Sequence, residues 1–219
     1  MIDRLIILDL EYTAWQGSLE RRWSGLGEHR EVVQISCLSF SSLKYIHDVH
    51  IFSRLVKPKI NPVLSHYFTD LTGITQDTID SHGLEYTTAY KDLKRIMSNG
   101  IYCSWGEDVE VLNENHRLYK MSVLPSDELN SFDVRSVFSS FDIDITNFTS
   151  GTIYNAFGDS GFELLPGKVH NATSDVWSIY LGLRKLIEKH GYKQVQSVIE
   201  ECCYQAVLPP SADIIDPLI

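Results

Sequence analysis

Four apolar residues in a row, Leu5-Ile6-Ile7-Leu8, run directly into Asp9-Leu10-Glu11, and no other stretch constrains this chain as tightly. An apolar run of this length bounded by charge reads as a buried strand. If that strand continues through Glu11, Asp9 and Glu11 leave the same face, because side chains alternate along a strand. Both carboxylates then stand at the C-terminal end of a buried strand, which is where open, largely parallel sheets bind ligands. Two ionised carboxylates side by side repel, and a divalent cation is the usual way to make the arrangement stable. Taken alone, the pair also fits two harmless acids at a solvated strand end.

The rest of the chain supplies strands and helices around that element. Glu31 to Phe40 and Tyr45 to Val56 are β-branched or alternating runs, expected to form two more strands antiparallel to each other, with Pro58 and Pro62 punctuating the exit. Leu84, Ala89, Leu93, Ile96 and Met97 give residues 83–97 an amphipathic helical pattern ending at Asn99-Gly100. Ile101 to Ser104 reads as a short strand, residues 108–119 as a helix, and Leu129 to Val134 as a fifth strand. Further helices are expected near 149–157 and over 171–189, the latter closed by Gly191. Three early strands followed by alternating helices and strands imply an α/β fold with a mixed sheet flanked by helices. Val195, Ile199, Cys202 and Ala206 fall at helical spacing, so 192–207 is expected to form a helix with an apolar stripe. We therefore divide the chain into a domain over 1–190 and a C-terminal helical extension and tail over 191–219. The stripe either docks on its own domain or supports a homodimer contact.

Charge and compartment narrow the function. With 19 basic and 29 acidic residues the net charge is −10, which argues against sequence-blind adhesion to nucleic acid but not against an acidic pocket neutralised by bound cations. No apolar run approaches the ~18 residues of a membrane span, and Leu5–Leu8 is too short for a signal-peptide core. A cytoplasmic protein with no membrane partner is expected, and its scattered Cys37, Cys103, Cys202 and Cys203 are expected to be reduced.

Two further clusters matter. Trp105-Gly106-Glu107-Asp108-Val109-Glu110 follows the 101–104 strand, and helix-opening acids there are fully explained by the macrodipole if taken alone. His170-Asn171-Ala172-Thr173-Ser174-Asp175 opens the late helix. Five residues place His170 and Asp175 ~140° apart on a regular helix, so they converge only if His170 sits on the entering loop. A loop histidine beside a carboxylate cluster has the chemistry of a general base near neutral pH.

In this order the clusters resemble the DEDDh group of 3′-to-5′ exonucleases, which includes RNase T, oligoribonuclease and polymerase proofreading subunits. The resemblance covers about residues 3–188 and is greatest to the histone-mRNA 3′-end exonuclease branch and its bacterial relatives. It is carried further by Leu8-Asp9-Leu10-Glu11-Tyr12-Thr13, by Leu64-Ser65 and Leu71-Thr72-Gly73-Ile74-Thr75-Gln76, and by Phe132-Asp133-Val134-Arg135-Ser136. It implies an RNase H-like exonuclease fold with a five-stranded mixed sheet. Asp9, Glu11, Asp108 and Asp175 match the metal-binding carboxylates for two Mg²⁺ or Mn²⁺ ions, and His170 matches the base that activates water. Asp108 is preferred over Glu107 and Glu110 because Val109 to Leu112 then lies on the expected helix. Tyr67 matches an aromatic that stacks on the terminal base, and Trp105 either stacks from the other side or fills the core. Tyr12 and Thr13 are expected to bring backbone N–H groups near the terminal sugar and phosphate.

The implied activity is hydrolysis of single-stranded nucleic acid, RNA in preference, from the 3′ end to 5′-mononucleotides. A DNA-trimming or proofreading enzyme is one alternative, and a catalytically silent nucleic-acid- or protein-binding module on the same fold is another. One departure stands out: family members carry an apolar residue three positions after the histidine, where this chain has Thr173. The 14–30 stretch gathers Trp15, Arg21, Arg22, Trp23 and Arg30, and either guides a single strand into the pocket or packs over the sheet.

Overall fold

A computed structural model describes residues 4–96, 98–158 and 170–207. Its sheet has five strands, β1 (Leu5–Tyr12), β2 (Val32–Phe40), β3 (Val49–Leu55), β4 (Ile101–Ser104) and β5 (Asn130–Asp133), in the order β3-β2-β1-β4-β5. β1 runs antiparallel to β2 and parallel to β4, and β5 is parallel to β4. The helices are α1 (His66–Thr72), α2 (Gln76–His82), α3 (Tyr86–Ile96), α4 (Asp108–Leu118), α5 (Pro125–Glu128), α6 (Arg135–Ser139), α7 (Ala172–His190) and α8 (Tyr192–Val207).

The apolar run that opens the chain is explained by helices on both faces of β1. Ile6, Leu8 and Leu10 pack with Tyr86, Ala89 and Leu93 of α3 and with Val111 and Leu112 of α4. Leu5 and Ile7 pack on the opposite face with Phe138 of α6 and Val176, Ile179 and Leu183 of α7. Each such aliphatic side chain contributes about 1.5–3 kcal/mol on full burial. The two-residue period then carries straight on, so Asp9 and Glu11 continue the face of Leu5 and Ile7, toward α7. β1 does extend through both acids. After Glu11 the pairing slips, Glu11 opposing Gln34 but Tyr12 opposing Val32. Such bulges re-aim side chains at the rim of a sheet.

Differences from expectation have local causes. Strand β2 starts at Val32 because the Glu31 carboxylate is turned inward. It accepts the backbone N–H groups of Lys59 (2.8 Å), Ile60 (2.9 Å) and Asn61 (2.6 Å) and the Tyr119 hydroxyl (2.7 Å). The early part of the Tyr45–Val56 run is a 3₁₀ turn, Leu43–Tyr45, capped by the Ser42 side chain. The helix expected over 83–97 begins at Tyr86, because Leu84 is held in a bridge with Val56; Met97 lies outside the described residues. The helix expected near 149–157 is a 3₁₀ helix, Ile153–Phe157, stopped by Gly158 at φ 70°. α8 forms over the expected residues; its Val195, Ile199 and Cys202 sit in the same core as α6 and α7, while Ala206 of the expected stripe is exposed. None of the described helices is long and apolar enough to cross a membrane.

Truncating Glu31 leaves four donors without their acceptor, at about 1–3 kcal/mol for each that stays buried. Glu31→Ala is therefore expected to lower unfolding free energy by about 3 kcal/mol, read by urea denaturation. A loss under about 0.5 kcal/mol would show that the loop after β3 does not depend on this carboxylate.

Candidate active site

The ends of three elements meet at one cavity of about 330 Å³. Asp9 and Glu11 come from the C-terminal end of β1. Asp108 is the first residue of α4, reached directly from the parallel neighbour β4. Asp175 lies in the first turn of α7. Both helices thus aim positive N-terminal ends toward carboxylates. Asp9, Asp108 and Asp175 are buried, at 5%, 8% and 2% exposure. One carboxylate oxygen from each of Asp9, Glu11 and Asp175 falls within 4.8 Å of the others.

His170 lies on the loop entering α7 in a left-handed conformation (φ 62°), followed by Asn171, whose side chain caps the helix at the Thr173 N–H (3.2 Å). The positive φ takes His170 off the helical screw, so it lines the same cavity as Asp175. Residues Gly167 to Val169, on the approach to this loop, lie outside the described residues.

The electrostatics are those of a site built for cations. Burial, then the charges of Asp175, Asp108 and Glu11, pushes the Asp9 carboxyl well above the ordinary range. Glu11 is raised well above its usual value by burial and by Asp175 and Asp108. Asp108 is pushed up to about 7, chiefly by burial, against the Leu10 amide that donates to it. Asp175 is raised by burial, against a hydrogen bond from Ser150 and the nearby His170. Among the described residues no lysine or arginine lines this cavity. The Ser150 hydroxyl donates to Asp175 Oδ2 at 2.8 Å, while Asp175 Oδ1 is buried without a hydrogen-bond partner among the described residues. A buried, orphaned carboxylate oxygen facing other carboxylates fits a cation ligand.

Tyr12, Tyr67 and Trp105 also line the cavity. Tyr67 is 40% exposed on α1, and Trp105 lies against Phe138, ring centroids 6.0 Å apart. Thr13 is elsewhere. Its N–H donates to the Glu31 carbonyl (2.8 Å) and its hydroxyl to the His29 carbonyl (2.6 Å), so both donors close the 13–31 loop instead of facing the cavity. Ser150 carried no signal in the sequence, being a single serine on a turn whose place depends on α7.

Thr173, the polar departure, has a local explanation. Its hydroxyl meets Ser36 Oγ at 2.9 Å and accepts from Gln34 Nε2 at 3.3 Å, while Gln34 Oε1 accepts the Ala172 N–H at 3.1 Å. Polar residues on β2 thus clamp the first turn of α7, two residues before Asp175. An apolar residue at 173 would leave Ser36 and Gln34 Nε2 with the Ser53 hydroxyl alone (2.9 and 3.2 Å) and untie them from α7.

A mixed sheet with carboxylates gathered where β1 and β4 end, and a histidine on the loop before the last helix of the cluster, defines a nuclease domain of the DEDDh exonuclease class. The model of the exonuclease family typified by RNase T matches residues 6–178. The chain belongs to the RNase T exonuclease family. Its sequence is 35% identical over 78 residues to the 3′-5′ exonuclease eri1 of Schizosaccharomyces pombe, covering 35% of this chain and 23% of that protein. The match thus spans under a quarter of the curated relative. Among solved structures, the fold is similar to one concerned with 3′-end specific recognition of a histone mRNA stem-loop by a 3′-exonuclease, with TM-score 0.70, 17% identity, and coverage of 87% and 84% of the two chains. It is also similar to the nuclease domain of 3′hExo, a DEDDh family member bound to rAMP, with TM-score 0.67, 18% identity, and coverage of 87% and 95%.

Proposed function

We propose that this chain is a divalent-cation-dependent 3′-to-5′ exonuclease that acts on single-stranded RNA and releases 5′-mononucleotides. The observation that carries the reading is the convergence of Asp9, Glu11, Asp108, Asp175 and His170, from β1, α4, α7 and the loop before it, on one cavity that no lysine or arginine lines among the described residues. The all-oxygen donor set suits Mg²⁺ or Mn²⁺ better than zinc, and Asp9, Glu11, Asp108 and Asp175 would hold two such ions. When bound, the ions activate the attacking water and stabilise the leaving 3′ oxygen.

The chain's own residues do the rest. His170, in its neutral form, accepts the proton of the attacking water at an imidazole nitrogen. The water oxygen bonds to phosphorus, the bond to the 3′ oxygen breaks, and that oxygen leaves as a hydroxyl after taking a proton from solvent. Ser150 orients Asp175, and the Thr173 clamp fixes the helix that carries it. Tyr67 and Trp105 flank the terminal base, where stacking is worth roughly 1–3 kcal/mol and tolerates any base. Tyr12 lies beside the terminal sugar and phosphate. The preference for RNA is supported by the two structural relatives, whose substrates or ligands are a histone mRNA stem-loop and rAMP.

The test uses 5′-labelled RNA and DNA single strands of one sequence, incubated with Mg²⁺, Mn²⁺ or EDTA. A ladder shortening from the 3′ end, faster on RNA, abolished by EDTA and by Asp9→Ala, is expected. Absence of cleavage of either strand by cation-loaded protein would overturn the exonuclease reading, and equal rates on both would overturn the RNA preference.

A further inference from the structure

A second cavity, of about 860 Å³, adjoins the acidic one and shares Tyr12, Leu19, Trp23 and Trp105 with it. We infer that it is a binding site for the nucleotides upstream of the scissile bond, gripping their phosphates with arginines instead of metal ions. The inference rests on the exonuclease reading and extends it to the body of the substrate.

The wall between the cavities is built, not draped. Tyr12 and Trp23 meet edge to face with ring centroids 5.4 Å apart, and the Arg30 guanidinium lies over both rings at 5.9 and 5.8 Å. Arg30 is fastened in turn to Glu114 of α4, with Nε to Oε2 at 2.8 Å, and Trp23 Nε1 donates to the Thr13 carbonyl at 2.8 Å. The 13–31 loop is thereby tied to α4, and a strand leaving the acidic cavity past Trp105 and Tyr12 enters the second cavity directly.

Four arginines, Arg22, Arg30, Arg117 and Arg135, line this cavity in a chain whose net charge is −10. Of the three acids in its lining, Glu28 is paired with Arg21, while Glu107 and Glu114 share Arg30. Arg22 is exposed, lines the cavity and makes no ion pair among the described residues. It and Trp23 are consecutive left-handed residues, φ 51° and 52°, each costing about 1–2 kcal/mol relative to ordinary backbone. Strain kept at two non-glycine positions marks a segment whose placement matters more than its comfort. Across the cavity, Arg117 of α4 and Arg135 of α6 each hold one carboxylate outside the lining, Glu110 and Asp133, at 55% and 41% side-chain exposure. An exposed, single-contact pair such as Arg117–Glu110 is worth about 0–1 kcal/mol, so trading it for a phosphate, which guanidinium grips in a bidentate way, costs little; Arg135 holds Asp133 through both Nε and a terminal nitrogen and exchanges it at a greater cost.

The two cavities are complementary in chemistry. Among the described residues the acidic one is lined by no lysine or arginine and depends on cations to accept a phosphate; the arginine-lined one does not. A drug-sized ligand takes a pocket of roughly 300–1,000 Å³, so about 860 Å³ admits more than a single nucleotide. Binding here is therefore independent of the divalent ion and dependent on strand length and salt.

The experiment measures anisotropy of a 5′-labelled octanucleotide and a dinucleotide with the full chain in EDTA, and hydrolysis of both with Mn²⁺, for the wild type, Arg22→Glu and Arg117→Glu. Both positions are exposed, and circular dichroism verifies the fold of each variant. The octanucleotide is expected to bind in EDTA, about tenfold more weakly in either variant. The slope of log affinity against log salt is expected to fall by about 0.7 for each phosphate contact removed. The ratio of kcat/KM for octanucleotide over dinucleotide is expected to drop about tenfold in the variants. A ratio and salt slope equal to those of the wild type in both variants would overturn the inference while leaving hydrolysis intact. Metal-free binding lost in the variants, with no hydrolysis by any form, would support the site and sink the exonuclease reading.

Discussion

Replacing Asp108 with asparagine is expected to abolish turnover and, at the same time, to raise the melting temperature of the cation-free protein at pH 8. The carboxyl is buried at the head of α4 and pushed up to about 7, first by burial and further by Asp175. Its ordinary value is near 3.9. The folded state therefore holds a proton on Asp108 over a range where the unfolded chain has released it. Stability is highest below pH ~4 with respect to this group, and declines as pH rises through about 7. At about 1.36 kcal/mol per tenfold in proton affinity, an ionised Asp108 at pH 8 costs on the order of 4 kcal/mol. Asparagine removes that cost and keeps an oxygen to accept the Leu10 amide. Part of the gain is absorbed by burying the asparagine NH2 group, at about 1–3 kcal/mol where it finds no acceptor. A net gain of about 1–2 kcal/mol is expected, with each kcal/mol worth roughly 2–4 °C in a domain of this size. Adding Mg²⁺ or Mn²⁺ reverses the order, because the cation stabilises the wild type by mass action, about 2.7 kcal/mol at a hundred times Kd, and the variant less. Calorimetry from pH 5 to 8, with and without cation, measures all of this. A variant less stable than wild type at pH 8 without cation would mean that ionised Asp108 is not a burden on the fold.

The same carboxylates show what could be read from sequence and what could not. Asp9 and Glu11 were legible because a strand has a short, rigid period: once Leu5–Leu8 is a strand, the face of each following residue is set. Asp108 was legible as the head of a helix whose apolar positions follow it at once. The pairing of His170 with Asp175 hinged on one torsion, the positive φ of His170, which no composition or spacing reveals. α1 and α2 are not legible from periodicity, because two-turn helices carry too little pattern to register one. Their signals are local: Ser65 and Thr75 as side-chain caps and Gly73 closing α1 at φ 76°. The 13–31 loop was least legible of all. Its form depends on partners far along the chain, Arg30 on Glu114 and Glu31 on the loop at 59–61. Thr13 followed that loop away from the cavity for the same reason. Thr173 looked like a defect in the familial pattern, because its partners Gln34 and Ser36 lie on a strand more than a hundred residues earlier.

His170→Ala is expected to separate proton transfer from cation binding. General-base catalysis by a positioned side chain contributes typically 10²–10⁴-fold, so kcat should fall by about that factor. KM should change little, since the strand is held by the aromatic and arginine walls and not by the imidazole. The acids that gather within 4.8 Å are Asp9, Glu11 and Asp175. Removing His170 leaves their oxygens in place, so the melting-temperature rise produced by Mg²⁺ or Mn²⁺ should persist. Asp9→Ala, by contrast, should lose both turnover and most of that rise, because it takes a ligand oxygen from the cluster. Added imidazole should restore part of the His170→Ala rate, as expected of a missing proton acceptor at an open site. The histidine faces a cavity of about 330 Å³, enough to admit the free base when a short substrate is used. A kcat reduced by less than tenfold would mean that the proton leaves by another route and that His170 only shapes the entry to α7. Loss of the cation-induced shift together with turnover would mean instead that the loop conformation at His170, and not its ring, is what the acidic cluster requires.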